Sequence, residues 1–390
     1  MTDSFKQLQK LKVALVYDRV NTKYGGAEQV LLAFQELFPQ ATLFTSVFNS
    51  QQASWANKFT KVIPSFINNY SFLRNKHQWL APLMPIAFES LDLSGFNLII
   101  SVTSAEAKGV IANYNQLHLC YLLTPPRYLY DFQSSYLDSK TLFSFPPVKQ
   151  TTKFLLSYLK WWDQVAIHRP DVIIPLSEVV SDRIKKSYEV TTEKPIYPPI
   201  DMIDFSTDNQ ALSRFHLPSD FHLVVSRLVF YKRVDIAIKA CVKLDHNLVI
   251  VGSGEEAGKL KKLANKLNKN SKSKIIFLSS QPQPIVNSLI KKAKILLSPG
   301  IDDFGITPLQ ANLFNTPAII NSKSGAVPIF KKYGFGDMLI SDSSEELANK
   351  IIQTSSKSIK SDNIDSIKKI LSTKYFQQQF AKIIIKNIKQ

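Results

Sequence analysis

Cysteine is nearly missing from these 390 residues: Cys120 and Cys241 are all there is. Neither a disulfide framework nor a Cys-rich zinc site can be built from them, and a reducing cytosol fits. No apolar run approaches the ~18 residues that a membrane-spanning helix needs. The start, MTDSFKQLQKLKVALVYD, is polar before its first apolar stretch, unlike a secretory signal. No group of His, Cys, Asp and Glu has metal-ligand spacing, so no resident metal is expected, and the G-x-S-x-G elbow of a Ser/His/Asp hydrolase is missing. His168, beside Arg169 and Pro170, reads as an incidental surface residue. Glycine is scarce, 12 in the whole chain, so each one marks a backbone that needs it. Arginine is scarcer still, eight against 40 lysines, and marks places where a planar, permanently charged fork matters.

With 45% hydrophobic and 20% charged residues, the composition is that of a globular protein, and the length suits two domains. The net charge is +17, unevenly shared: residues 1–200 carry 20 basic and 15 acidic side chains, residues 201–390 carry 28 and 16. Such a surface attracts phosphate-bearing partners, whether nucleotide, anionic lipid or nucleic acid. The densest run, Lys259 to Lys274, has Leu260, Leu263 and Leu267 at helical spacing. Its lysines therefore read as the solvated back of an amphipathic helix rather than a nucleic-acid patch.

Apolar runs rich in Val, Ile and Leu recur at residues 12–17, 42–47, 97–102, 119–123 and 171–175, then again at 222–226, 247–252, 274–279, 294–299 and 317–321. They alternate with amphipathic patterns at 27–37, 234–243 and 284–292. Continuous apolar strands between such helices predict parallel sheets covered on both faces, hence two doubly wound α/β domains. A Pro-rich polar stretch at 197–209 is the expected hinge. The final segment puts Phe376, Phe380, Ile383 and Ile384 on one face, which needs a surface to cover it.

Four motifs carry chemistry. Gly25 and Gly26 of GGAE lie at a strand-to-helix turn, where backbone N–H groups can approach an anion; a plain tight turn is the alternative. Arg227 follows a strand and Lys232 comes five residues later, so both can converge at the carboxyl end of a sheet as a diphosphate clamp; pairing with Asp235 or solvent competes. In SPGIDDFGITPLQA, an acidic loop leads to Gly305 and a helix with Thr307 expected as N-cap and Pro308 at the first position. Backbone N–H groups around Phe304, Gly305 and Ile306, with Asp302 beside them, suit a phosphate or a sugar hydroxyl. Gln310 has capping-box spacing from Thr307, so it either serves its own helix or meets the ligand. In TPPRYLYD, Arg127 on a loop either binds an acceptor's phosphate or carboxylate or locks an interdomain cleft.

Together, GGAE, PLMPIAFESLDLSGFNLIIS at 82–101, AKGV at 107–110, TPPRYLYD at 124–131, IYPPID at 196–201, VSRLVFYKRVDIAIKA and DFGITPLQA resemble the family 4 retaining glycosyltransferases of GT-B fold, over about residues 11 to 390. The resemblance implies two Rossmann-like domains facing a cleft: an acceptor-binding one at 1–200, a nucleotide-sugar-binding one at 201–372, and a final helix at 373–390 packing back on the first. It implies a hexosyltransferase, with mannose a candidate sugar, acting from a nucleotide diphosphate sugar on a lipid-linked or polysaccharide acceptor in cell-envelope glycan synthesis. By position, Arg227 and Lys232 become the donor-diphosphate cations, Gly25 and Gly26 the approaching loop, and Asp302 to Ile306 the sugar-contacting turn. The departing phosphate takes the acceptor's proton on the same face of the sugar, and neither a metal nor another cofactor is implied.

The chain departs from that pattern at three positions. The family's paired glutamates fall on Asp302 and Gln310, and a His common before Thr-Pro is here Leu123. A catalytically impaired relative that binds the nucleotide sugar or partner transferases is the alternative reading. The protein is expected in the cytoplasm, with peripheral contact to an anionic inner membrane face through Phe66–Phe88 set against burial of that segment.

Overall fold

The computed structural model describes residues 8, 10–70, 77–131, 146–200, 207–208, 210–333, 336–354 and 361–388. The chain divides into two compact units, residues 1–199 with 373–390, and residues 200–372. Of the predicted hinge, residues 201–206 and 209 lie outside the described residues.

Unit 1 runs β1 (Val13–Tyr17), α1 (Gly26–Leu37), β2 (Thr42–Thr45), β3 (Lys61–Pro64), α2 (Met84–Glu89), β4 (Leu98–Thr103), β5 (Leu117–Leu122), α3 (Pro146–Ala166), β6 (Val172–Pro175) and α4 (Glu178–Tyr188). Unit 2 continues with β7 (His222–Val225), α5 (Val234–Lys243), β8 (Leu248–Val251), α6 (Ala257–Leu267), β9 (Ile275–Leu278), α7 (Gln283–Lys292) and β10 (Leu296–Ser298). It ends with α8 (Ile306–Leu313), β11 (Ala318–Asn321), α9 (Val327–Tyr333), β12 (Asp337–Leu339), α10 (Ser344–Thr354) and α11 (Ser361–Ile370). The last helix, α12 (Thr373–Asn387), belongs to unit 1.

Each unit holds one six-stranded sheet, ordered β3-β2-β1-β4-β5-β6 and β12-β11-β10-β7-β8-β9. Every described pairing is parallel, with Leu15 opposite Leu43 on one side and Ile100 on the other. Counted within its own unit, each sheet has the strand order 3-2-1-4-5-6. In open α/β sheets of that order ligands bind beyond the carboxyl ends of the strands where the order reverses, here at β1/β4 and β7/β10. The ten apolar runs all became strands. The two strands missed, β3 and β12, are edges with half-exposed residues, where no continuous apolar run is required.

Helix α1 follows from its spacing: Val30, Leu31, Phe34 and Leu37 are buried against the sheet. Helix α4 is capped by Ser177, whose side chain accepts from the Val180 N–H, and ends at Glu189 in the left-handed region. In α6, Leu260 and Ala264 are buried, Leu263 and Leu267 pack on the core, and Lys259, Lys261, Lys262 and Lys266 are exposed, as the amphipathic reading expects. The apolar face of α12 is covered by α1 and β5. Phe380 meets the Phe34 ring at 4.7 Å and the Tyr121 ring at 5.3 Å, and Gln377 Nε2 donates to the Ala33 carbonyl at 2.9 Å. Both cysteines are buried and unbridged, and burial pushes the Cys120 thiol up to about 12.

One buried histidine in each unit makes stability depend on acid. His118 touches Ser101 Oγ at 2.9 Å and His222 touches His246 at 3.0 Å; burial lowers both imidazoles to about 4. Unfolded, each titrates near 6.5. Between pH 6.5 and 4 the unfolded chain therefore binds more protons, so stability falls as pH drops through that window and the loss levels off below it. The full loss is about 3 kcal/mol for each histidine. In urea unfolding at pH 7 and pH 4.5, wild type should lose more stability than His222→Gln.

Candidate functional site

In unit 2, β7 ends at the reversal of strand order, and the chain then carries Arg227 to Lys232 across the carboxyl end of the sheet. Lys232 closes a short 3₁₀ turn, Phe230–Lys232, and its ammonium pairs with Asp302 on the loop after β10. The pair is largely sheltered, at 18% and 14% side-chain exposure. Asp302 also accepts from Ser298 Oγ at 2.8 Å, and its own N–H donates to Ser324 Oγ at 3.0 Å. Arg227 is exposed and donates to the Tyr231 hydroxyl at 2.6 Å, and Tyr231 in turn lays its ring 5.9 Å from the Lys232 ammonium. The structure thus brings Arg227, Lys232 and Asp302 to one patch. Asp235 does not compete for those two cations; Arg233 and Lys239 occupy it.

Two glycines permit the patch. A Cβ at Gly300 would lie 2.4 Å from the Tyr231 carbonyl oxygen, so only glycine lets the β10 loop press against the turn carrying Lys232. Gly305 has φ +99, in the region that favours glycine, and turns the chain into α8. This corrects the sequence reading of that helix start. Gly305, not Thr307, is the N-cap, and Pro308 stands third in the helix rather than first. The cause is Gly305 itself, whose turn starts the helix two residues earlier.

The predicted capping box is therefore not formed. Gln310 is buried and its Nε2 donates to Asn287 Oδ1 at 3.0 Å, tying α8 to α7. The Phe304 side chain is in the core, Gly305 is buried and Ile306 is half-buried.

In unit 1, Gly25 is the N-cap and Gly26 the first residue of α1. Glu28 braces the turn: it accepts from Tyr17 and Thr22 hydroxyls at 3.0 and 3.1 Å, and burial holds its carboxyl above the ordinary range. Arg127 is half-buried on the loop after β5, where its carbonyl accepts from the Asp131 N–H at 3.0 Å. That loop is anchored by Tyr128 to Glu106 and by Tyr130 to Asp163, both at 2.9 Å. Leu123, just past β5, is half-buried. His168 is exposed. Of Phe66–Phe88, Ile67, Leu80, Met84 and Phe88 are buried while Phe66, Tyr70, Leu83 and Ile86 are exposed; Arg74 lies outside the described residues.

Sequence reasoning missed several residues at these strand ends. Asp18, directly after β1, is buried and accepts from Thr103 Oγ1 and the N–H groups of Ser104 and Ala107, at 2.6, 2.8 and 2.9 Å. Arg19 beside it lies 3.8 Å from Glu106. Lys108 is fully buried on Asp163. Gly254 follows β8 where a Cβ would collide with the Leu228 carbonyl. The signal was present for Asp18, a charge following an apolar strand, and for the Gly-Ser-Gly after β8. For Lys108 there was none, because its partner is 55 residues away.

The two cations should differ in their effect on folding. Arg227→Ala, at an exposed site, should leave unit 2 within about 0.5 kcal/mol of wild type. Lys232→Ala strands a sheltered carboxylate and should cost about 1–3 kcal/mol. Urea unfolding followed by circular dichroism measures both.

Known proteins share parts of this chain. Residues 209–369 match the family described as glycosyl transferases group 1. The O-antigen chain mannosyltransferase RfbU of Salmonella typhimurium is 28% identical over 179 residues, 44% of this chain and 47% of that protein. The alpha-1,3/1,6-mannosyltransferase ALG2 of Saccharomyces cerevisiae is 24% identical over 216 residues, 45% and 43%. The chain thus spans less than half the length of these curated relatives. Among solved structures, Anabaena HepE in complex with UDP-glucose superposes with a TM-score of 0.71 at 18% identity, covering 96% of this chain and 99% of that one. The outer core galactosyltransferase WaaB of lipopolysaccharide superposes at 0.60 with 17% identity, covering 96% and 99%. With two parallel Rossmann-like sheets and that match across nearly all of unit 2, the chain has the GT-B fold, and its residues 209–369 are similar to the glycosyl transferases group 1.

Proposed function

We propose that the protein is a retaining hexosyltransferase, acting from a nucleotide diphosphate sugar on a lipid-linked or polysaccharide acceptor in envelope glycan synthesis. The observation that carries the reading is the meeting of Arg227, Lys232 and Asp302 at the carboxyl end of the unit 2 sheet. The mannosyltransferase relatives make mannose the first sugar to try.

In this reading Arg227 and Lys232 bind the diphosphate and offset the charge that grows on it as the sugar C1–O bond breaks. The new bond from the acceptor oxygen to C1 forms on the same face, and the acceptor's proton passes to the departing phosphate. No protein base is required, and the residues' work is orientation and charge neutralisation. The diphosphate takes Lys232 from Asp302, which frees the carboxylate to accept from a sugar hydroxyl beside the backbone of Phe304, Gly305 and Ile306. Within unit 1, the Gly25–Gly26 turn at the start of α1 offers backbone donors, and Arg127 is the candidate partner for an acidic group of the acceptor. The two cations meet the charge demand, so the reading asks for no metal.

A second reading, donor binding without turnover, is favoured by Gln310, which spends its amide on Asn287, and by Leu123, an aliphatic side chain at the position where the resemblance implies a His. Incubation with labelled UDP- and GDP-sugars in the presence of a chelator separates the two. Release of nucleoside diphosphate, falling about 100- to 1000-fold in kcat/KM for Arg227→Ala, supports transfer. Tight donor binding with no release supports the second reading, and chelator-dependent release contradicts metal-independent transfer.

A further inference from the structure

Each sheet carries a cation and a carboxylate at the same topological point. In unit 2 the strand order reverses between β7 and β10, and Lys232 from the loop after β7 pairs with Asp302 from the loop after β10. In unit 1 it reverses between β1 and β4, and Arg19 from the segment after β1 faces Glu106 from the segment after β4. The first and fourth strands of each unit thus supply the two charges, at the carboxyl ends where such sheets bind ligands. The unit 1 pair is not part of the donor patch.

Unlike its counterpart, the unit 1 pair is open. Arg19 and Glu106 stand 3.8 Å apart, beyond hydrogen-bond reach, although their side chains are only 27% and 7% exposed. One Glu106 oxygen accepts from the Tyr128 hydroxyl at 2.9 Å. The other, on the Arg19 side, has no hydrogen bond among the described residues, and neither has the guanidinium. Sheltered donors and a sheltered acceptor are costly unless a partner from outside the chain meets them. Both groups are nonetheless held in place. Next to Arg19, Asp18 accepts from the Ser104 and Ala107 N–H groups at 2.8 and 2.9 Å, and the Val20 N–H donates to the Val47 carbonyl at 2.9 Å. Glu106 is steadied by Tyr128, whose loop is tied down again where Tyr130 donates to Asp163.

The gap has the width of one hydroxyl. An oxygen that accepts from Arg19 and donates to Glu106, with hydrogen bonds of about 2.8 Å meeting at roughly a right angle, needs partners about 4 Å apart. An anion suits the place less. Arg19 already faces Glu106 and adjoins Asp18, so a phosphate or carboxylate would bring a third acidic group to one cation. A sugar hydroxyl brings no charge and uses donor and acceptor at once, with a charged partner on each side.

We propose that Arg19 and Glu106 form a subsite of unit 1 that binds a neutral sugar hydroxyl of the acceptor and so selects the sugar that is extended. Calling that ligand the acceptor rests on the transferase reading; the binding itself does not. The test is saturation-transfer NMR of the full chain with methyl α-mannoside, methyl α-glucoside and methyl α-galactoside, and with methyl α-glucuronide as the anionic comparison. At least one neutral glycoside should bind at millimolar concentration, and better than the glucuronide. Arg19→Met should weaken that binding about tenfold or more, and Glu106→Gln, which keeps an oxygen but loses the charge, about threefold or more. Arg19→Lys keeps a cation beside Glu106 and loses the fork, so it should melt like wild type yet bind less; it answers the question even if Arg19→Met does not fold. Glycoside binding that depends on Arg19 in a protein that releases no nucleoside diphosphate supports the subsite and counts against transfer alone. Lack of binding by every neutral glycoside, tighter binding of the glucuronide, or equal binding by wild type, Arg19→Lys and Glu106→Gln would each overturn the proposal.

Discussion

An ammonium and a carboxylate seventy residues apart in the chain neutralise each other at the carboxyl end of the second sheet. Neither Lys232 nor Asp302 is well solvated, and a sheltered charge left alone costs about 1–3 kcal/mol. The pair lets the fold keep a cation at the point where strand order reverses, with the counter-charge already in place. Around it the chain makes particular concessions: glycine at 300 so that two loops can touch, a left-handed glycine at 305, and Ser298 and Ser324 holding Asp302 from either side. In the proposed reading a diphosphate substitutes for Asp302, so binding donor and freeing the carboxylate are one event.

The frame was legible because both sheets are buried on both faces. Ten apolar runs separated by amphipathic segments leave few alternatives to two parallel α/β units, and the runs fell where the strands are. The edges β3 and β12 escaped because half-exposed strands carry no such run. The helix start at Gly305 was misread because Thr-Pro is a strong local start signal, whereas the deciding feature is a positive φ that the sequence shows only as a single glycine.

The site was partly legible. Scarcity drew attention to Arg227, Gly25 and Gly305, and local order drew it to Lys232. Nothing local could show that Lys232 is bound to Asp302, that Gln310 is bound to Asn287, or that Lys108 and Asp163 form a buried pair, since each contact joins segments far apart in sequence. Unit 1 makes the same point with Asp18, which ties the end of β1 to the segment after β4 through three hydrogen bonds. In both units the polar groups that shape the strand ends are held by neighbours from another strand's loop, and pattern reading does not reach that far.

The central claim is that Arg227 and Lys232 grip a diphosphate, and calorimetric titration with UDP and GDP tests it directly. The account predicts that at least one of them binds wild type, that binding weakens as salt rises, and that Arg227→Ala and Lys232→Ala each lower its affinity about tenfold or more. Nucleotide bound with equal affinity by wild type and both variants would contradict it.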